Sequence, residues 1–222
     1  MTIPAASPSA RPRLPLLPLV LASVGLAVSL ALLFQAWNIR RVARSYGSVE
    51  LPRLSALPDF TATSETGATV TKASLSGKIW IADFVFTNCG GICPGLTLKM
   101  KSLQERLKDE PLVRLVSFTV DPDRDTPEVL ARYGRERGAD PARWMFLRTD
   151  KERIRKLCRE GFKLAVEDAD AKDAEPILHS TRFVLVDGAG TIRGYFESAE
   201  PGAMEQLAVS ARSLARTGAA GR

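Results

Sequence analysis

Cysteine and histidine are scarce in this 222-residue chain, with three copies of the first and one of the second. Three cysteines are too few for a disulfide scaffold. A lone histidine excludes a multi-histidine zinc site or a His-rich metal tract. Internal repeats are missing, and so is any nucleic-acid-binding motif. The charge excess of +6 is not gathered into a basic patch. Arginines and lysines alternate with acids, as in Arg132-Tyr133-Gly134-Arg135-Glu136-Arg137 and Lys151-Glu152-Arg153-Ile154-Arg155-Lys156. Such runs read as solvated helix faces, so no nucleic-acid partner is expected. Hydrophobic and charged contents of 45% and 25% exclude collagen, fibrous and wholly disordered classes.

What the chain does have is a long uncharged run. Residues 1–13 are rich in Pro, Ser and Ala and read as a disordered tail. Leu14 to Ile39 then carries no charge and is bracketed by Arg13 and Arg40-Arg41. A bilayer span needs roughly 20 apolar residues, and Trp37 sits where an interfacial aromatic belongs. The run exceeds the usual signal-peptide core of about 7–15 residues. No cysteine follows its small-residue segment Ser29-Leu30-Ala31, so a lipid-attachment site is excluded. Residues 14–37 are therefore expected to be a single-pass membrane anchor. Arg11 and Arg13 before it, against Arg40, Arg41 and Arg44 after it, lean towards a cytoplasmic C-terminal domain.

Residues 38–57 read as a linker and 58–217 as one globular domain. Strands are expected at 78–86, 113–120 and 144–148, and helices at 94–107, 126–138 and 150–160. Arg182–Val186 and Thr191–Phe196 flank Asp187-Gly188-Ala189-Gly190, a hairpin signal. A last amphipathic helix spans 202–214. This order gives an α/β layered domain, similar to a thioredoxin-like fold, behind a single N-terminal transmembrane helix.

Cys89 and Cys93 follow the first of these strands, and Pro94 suits the first turn of a helix. A cysteine at a helix N-terminus faces backbone N–H groups that favour its thiolate. Gly90 and Gly91 between the two offer no obstruction and permit positive φ. Two thiolates in one turn can form a reversible disulfide or hold a soft ion such as Cu(I). His179, just before Arg182–Val186, is the candidate third ligand. Other residues have plainer readings. Cys158, Met100, Met145, Trp80 and Trp144 read as core. Asp121-Pro122-Asp123-Arg124-Asp125 reads as a turn, with Asp125 or Thr126 capping the next helix.

The chain resembles the Sco/SenC family, named for synthesis of cytochrome c oxidase. The resemblance rests on Leu57-Pro58-Asp59-Phe60, Gly77-Lys78, Asp83-Phe84-Val85-Phe86-Thr87-Asn88-Cys89 and Cys93-Pro94. It continues through Val116-Ser117, Val120 to Glu128, and His179-Ser180-Thr181 leading into Phe183 to Asp187. It implies a copper site, for Cu(I) ahead of Cu(II), made by Cys89, Cys93 and His179. It also implies a carrier rather than an enzyme, tethered to the cell membrane with its domain facing the periplasm, against the arginine count. The implied partner is the copper-accepting subunit of cytochrome c oxidase, whose binuclear copper centre receives the ion. In the alternative, Cys89 and Cys93 are a redox pair of a thiol–disulfide oxidoreductase that reduces the acceptor cysteines. Family members usually carry Pro after the first cysteine, where this chain has Gly90-Gly91.

Overall fold

An eight-stranded mixed sheet organises the C-terminal part of the chain. In this computed structural model the described residues are 25–26, 29–30, 33–35, 51–88, 90–91, 93–164 and 180–220, with side chains described to 217. Two compact units divide the chain, Met1–Ser45 and Tyr46–Arg222. In the first unit the described residues are helical, and the Ser29 hydroxyl donates to the Gly25 carbonyl at 2.9 Å. Leu26, Leu30, Leu33 and Phe34 are all exposed. Among the described residues no helix is long and apolar enough to cross a membrane. Most of the expected 14–37 span lies outside them.

In the second unit the strands are β1 (Ser55–Ala56), β2 (Thr61–Ser64), β3 (Thr69–Thr71), β4 (Ile79–Val85), β5 (Val113–Thr119), β6 (Trp144–Arg148), β7 (Arg182–Val186) and β8 (Thr191–Glu197). Their order in the sheet is β1-β8-β7-β4-β5-β6-β2-β3, with β4, β5 and β6 parallel and the other pairs antiparallel. All seven residues of β4 are buried. A strand covered on both faces has no use for polar alternation, which is why β4 reads as a nearly continuous apolar run.

Side chains alternate between two cores. Trp80, Ala82, Phe84, Val116, Phe118, Val184 and Val186 meet Leu157, Cys158 and Phe162 on one face. Ile79, Ile81, Leu115, Phe183 and Leu185 meet the helices α1 (Cys93–Arg106), α2 (Pro127–Arg137) and α4 (Ala203–Ala220) on the other. The short helix α3 (Lys151–Lys156) runs into a π-helical turn, Leu157–Gly161, over the first face.

The caps explain the boundaries. Thr126 accepts from the Val129 N–H to open α2, and Pro127 follows at the first turn. Gly138 closes that helix at φ +73°, a conformation costly for residues with a side chain. Asp150 accepts from the Arg153 N–H at 2.8 Å to open α3. Asp187 closes the β7–β8 turn by accepting from the Ala189 and Thr191 N–H groups at 3.0 and 2.9 Å.

Three strands were not expected. The β2–β3 hairpin is short and built of Thr and Ser, with only Ala62 and Ser64 buried in β2, so it has little apolar signal. Residues 55–56, assigned to the linker from sequence, pair with β8 as β1, and Leu57 beside them is buried. Arg193 secures this segment by donating to the Pro52 carbonyl at 2.9 Å and to the Leu51 carbonyl. The last helix also runs six residues beyond its expected end, to Ala220.

Candidate metal centre

Cys93 is the first residue of α1 and is only 3% exposed. Its carbonyl accepts from the Thr97 hydroxyl at 2.9 Å, one turn along. Thr97 in turn pairs with the Tyr133 hydroxyl of α2 at 2.7 Å. The start of α1 is thereby pinned to a neighbouring helix. Burial pushes the Tyr133 phenol up, as do the nearby Cys93 and Asp83, while Thr97 and Arg137 act in the opposite direction. A sulfur at this helix end meets the positive pole of the backbone dipoles, which suits a thiolate or a thiolate–metal bond.

The opposite end of the cysteine loop leaves β4. Asp125 lies in the turn between β5 and α2 and is fully buried. Its carboxylate accepts from the Thr87 N–H at 3.1 Å, the Thr87 hydroxyl at 2.5 Å and the Thr119 hydroxyl at 2.5 Å. Thr126 is the α2 cap, so the role left open between these two residues is settled, and Asp125 clamps the strand exit instead.

The rest of the acidic segment is also committed to protein partners. Arg124 pairs with Asp121 at 3.2 Å, Lys151 pairs with Asp123 at 3.7 Å, and Arg148 donates to the Pro122 carbonyl at 2.9 Å. Among the described residues, no three His, Cys, Asp or Glu side chains are grouped to hold a metal.

Cys89 and His179 lie outside the described residues, so of the three expected ligands only Cys93 is placed. Gly90 and Gly91 are exposed, and among the described residues a Cβ on either would meet nothing within 4 Å. Gly91 does not take a positive φ. On the far side, β7 runs antiparallel to β4, with Ala82 opposite Val184. The chain therefore enters β7 at the same end of the sheet where β4 leaves. That entry is braced by Glu197, which accepts from the Thr181 hydroxyl at 3.0 Å and pairs with Arg182. The Arg182 guanidinium and the Thr181 bond hold the Glu197 carboxyl below its ordinary range against its partial burial.

The remaining sequence assignments fall into place. Cys158 is 1% exposed, and burial pushes its thiol up to about 12, which leaves it inert near neutrality. Met100, Trp80 and Trp144 are core, and Met145 packs against it. The residue that sequence reasoning passed over is Asp83, in the middle of β4. It is 1% exposed; Ser117 donates to Oδ1 at 2.5 Å, Trp144 donates to Ser117 at 2.9 Å, and Oδ2 has no partner. Burial raises this carboxyl to about 7. Its signal in the sequence is a single carboxylate within an otherwise apolar run.

Comparisons with known proteins follow the same outline. The SCO1/SenC family profile matches residues 50–215. The "SCO1 protein homolog" of Bacillus subtilis (strain 168) is 36% identical over 135 residues, 60% of this chain and 69% of its own length. The structure of BsSco, described as having a disulfide switch and as a member of the Sco family of cytochrome c oxidase assembly proteins, shares 30% identity. It superposes with a TM-score of 0.66, covering 75% of this chain and 97% of the other. The structure of Bradyrhizobium japonicum ScoI with copper bound gives 26% identity and a TM-score of 0.59, covering 72% and 99%. The domain is thus thioredoxin-like, and with its profile match extending over most of the sequence, the chain belongs to the SCO1/SenC family.

Proposed function

We propose that this protein is a membrane-tethered copper carrier that delivers copper to the binuclear centre of cytochrome c oxidase during its assembly. The ligands in this reading are the Cys89 and Cys93 thiolates and the His179 imidazole. The observation that carries it is the placement of Cys93, buried at the first turn of α1, at the end of the sheet where β4 leaves and β7 begins. Two sulfurs and one nitrogen suit a soft monovalent ion. The copper-bound relative and the oxidase-assembly relative support the cargo and the destination.

Reduced cysteines supply the thiolates, and the ion passes to the acceptor by stepwise ligand exchange. Oxidation to a Cys89–Cys93 disulfide removes both sulfur ligands, so loading depends on redox state. Residues 14–37 serve as a single-pass anchor, with the domain in the periplasm beside its membrane-bound acceptor. Tethering raises the effective concentration of donor near target.

Anaerobic Cu(I) titration of the full chain in detergent tests the ligand set. One equivalent should bind to the wild type, and Cys89→Ser, Cys93→Ser and His179→Ala should each weaken binding sharply. Unchanged stoichiometry and affinity in all three would remove the proposal. The disulfide switch of the BsSco relative favours a second reading, in which the dithiol reduces the acceptor's disulfide and is itself oxidised. Reductase activity that survives His179→Ala, without bound copper, would select it.

A further inference from the structure

Asp125 does more than close a turn. Its carboxylate joins the exits of two neighbouring parallel strands, since Val85 and Thr119 are in register and the Val120 N–H donates to the Val85 carbonyl at 3.0 Å. Beyond Val85 the ladder stops, and Thr87 gives both its N–H and its hydroxyl to Asp125. A backbone donor and a side-chain donor from one residue fix that residue's position and its backbone direction together. Thr87 stands two residues before Cys89. In the described part of the loop, Gly90 and Gly91 contribute no side chain that could pack. The loop's other end is set by Cys93 on α1, through Thr97 and Tyr133. Among the described residues, the clamp on Thr87 is thus the last fixed point before the first cysteine.

We infer that Asp125 is a positioning residue for the dithiol site, holding the exit of β4 so that the loop carrying Cys89 starts from a fixed point relative to Cys93. This rests on the reading of Cys89 and Cys93 as a working pair, whether for metal or for disulfide exchange. A ligand pair anchored at both ends loses less freedom when it closes on an ion or on itself.

The test separates positioning from plain stability, because Asp125 binds one hydroxyl on the loop side and one away from it. Thr87→Val removes the loop-side bond, Thr119→Val removes the other, and Thr87→Ser keeps the hydroxyl as a conservative rescue. Each full-length variant is equilibrated in detergent with glutathione buffers, in which the protein dithiol and glutathione disulfide exchange to protein disulfide and two glutathiones. Thiol alkylation then gives the midpoint potential of the pair, and anaerobic Cu(I) titration gives affinity.

Thr87→Val should weaken the internal disulfide roughly tenfold, a rise of about 30 mV for this two-electron couple, and lower Cu(I) affinity to a similar degree. Thr119→Val should lose comparable stability while leaving the potential unchanged, and Thr87→Ser should match the wild type. Equal shifts in Thr87→Val and Thr119→Val, or no shift in either, would overturn the inference. If the wild type binds no copper, the carrier reading fails, and the potentials still decide the role of Asp125.

Discussion

Asp125 and Asp83 are both shut off from solvent, at 0% and 1% exposure, yet the fold treats them in opposite ways. Asp125 receives three donors from two strand exits. Asp83 receives one, from Ser117, and keeps an unpartnered oxygen. A buried carboxylate whose oxygens are met by donors from two strands acts as a fixed clamp. One left short of donors is better off protonated, because burial penalises the charge and little compensates for it. The two aspartates therefore differ in kind: one, at the strand exit, holds geometry, and the other, within β4, is pushed towards its protonated form.

The sharpest way to break this contrast is Asp125→Ala. It strands the buried donors of Thr87 and Thr119, and a loss of about 3 kcal/mol or more in urea unfolding is expected. A loss below about 1 kcal/mol would show that the clamp is not what fixes the strand exit.

Asp83→Asn should act in the other direction, and only above acid pH. Below about pH 4 Asp83 is protonated in both folded and unfolded chains, and its contribution to stability is fully present. As pH rises to about 7 the unfolded chain alone ionises, so wild-type stability falls, and above that it levels off. The rise from 3.8 to about 7 caps the effect at about 4 kcal/mol. Since Asn retains a buried amide without a full set of partners, a gain nearer 2 kcal/mol at pH 8 is expected, vanishing below pH 4. Unfolding curves of both proteins across that range check the sign.

Tyr133→Phe removes one of the two partners of the Thr97 hydroxyl and should cost about 1 kcal/mol. It loosens the start of α1 without touching the β4 exit, so the two anchors of the loop can be compared directly. The smallest effect is expected at Cys158, whose thiol should stay unmodified by iodoacetamide in native protein near pH 8 and react only on unfolding. Modification of the folded protein at that pH would contradict its burial.

Much of the fold could be read from the sequence because its central strands and its caps announce themselves. The apolar run of β4, the Thr126-Pro127 start of α2, Gly138 and Asp150 all sit where local chemistry demands them. β2 and β3 escaped because threonine-rich edge strands carry no periodic apolar signal, and β1 because two residues are too few. The π-helical turn at Leu157–Gly161 breaks the helical period that sequence reading relies on. At the candidate site, the position of Cys93 followed from Pro94 and the strand before it. The clamp by Asp125 did not, because a turn aspartate looks like a cap until its distant partners are known. Asp83 was hidden by the apolar residues around it, and nothing in spacing alone marks a carboxylate as buried and short of donors.

The exposure of Gly90 and Gly91 carries a consequence for how this site can change. A Cβ placed at either position would meet nothing within 4 Å among the described residues, so the described scaffold does not dictate what stands there. Both positions are exposed, so side chains introduced there would be open to solvent. Gly90 and Gly91 are thus the described positions of the loop where a substitution changes the chemistry between the cysteines with the least demand on packing.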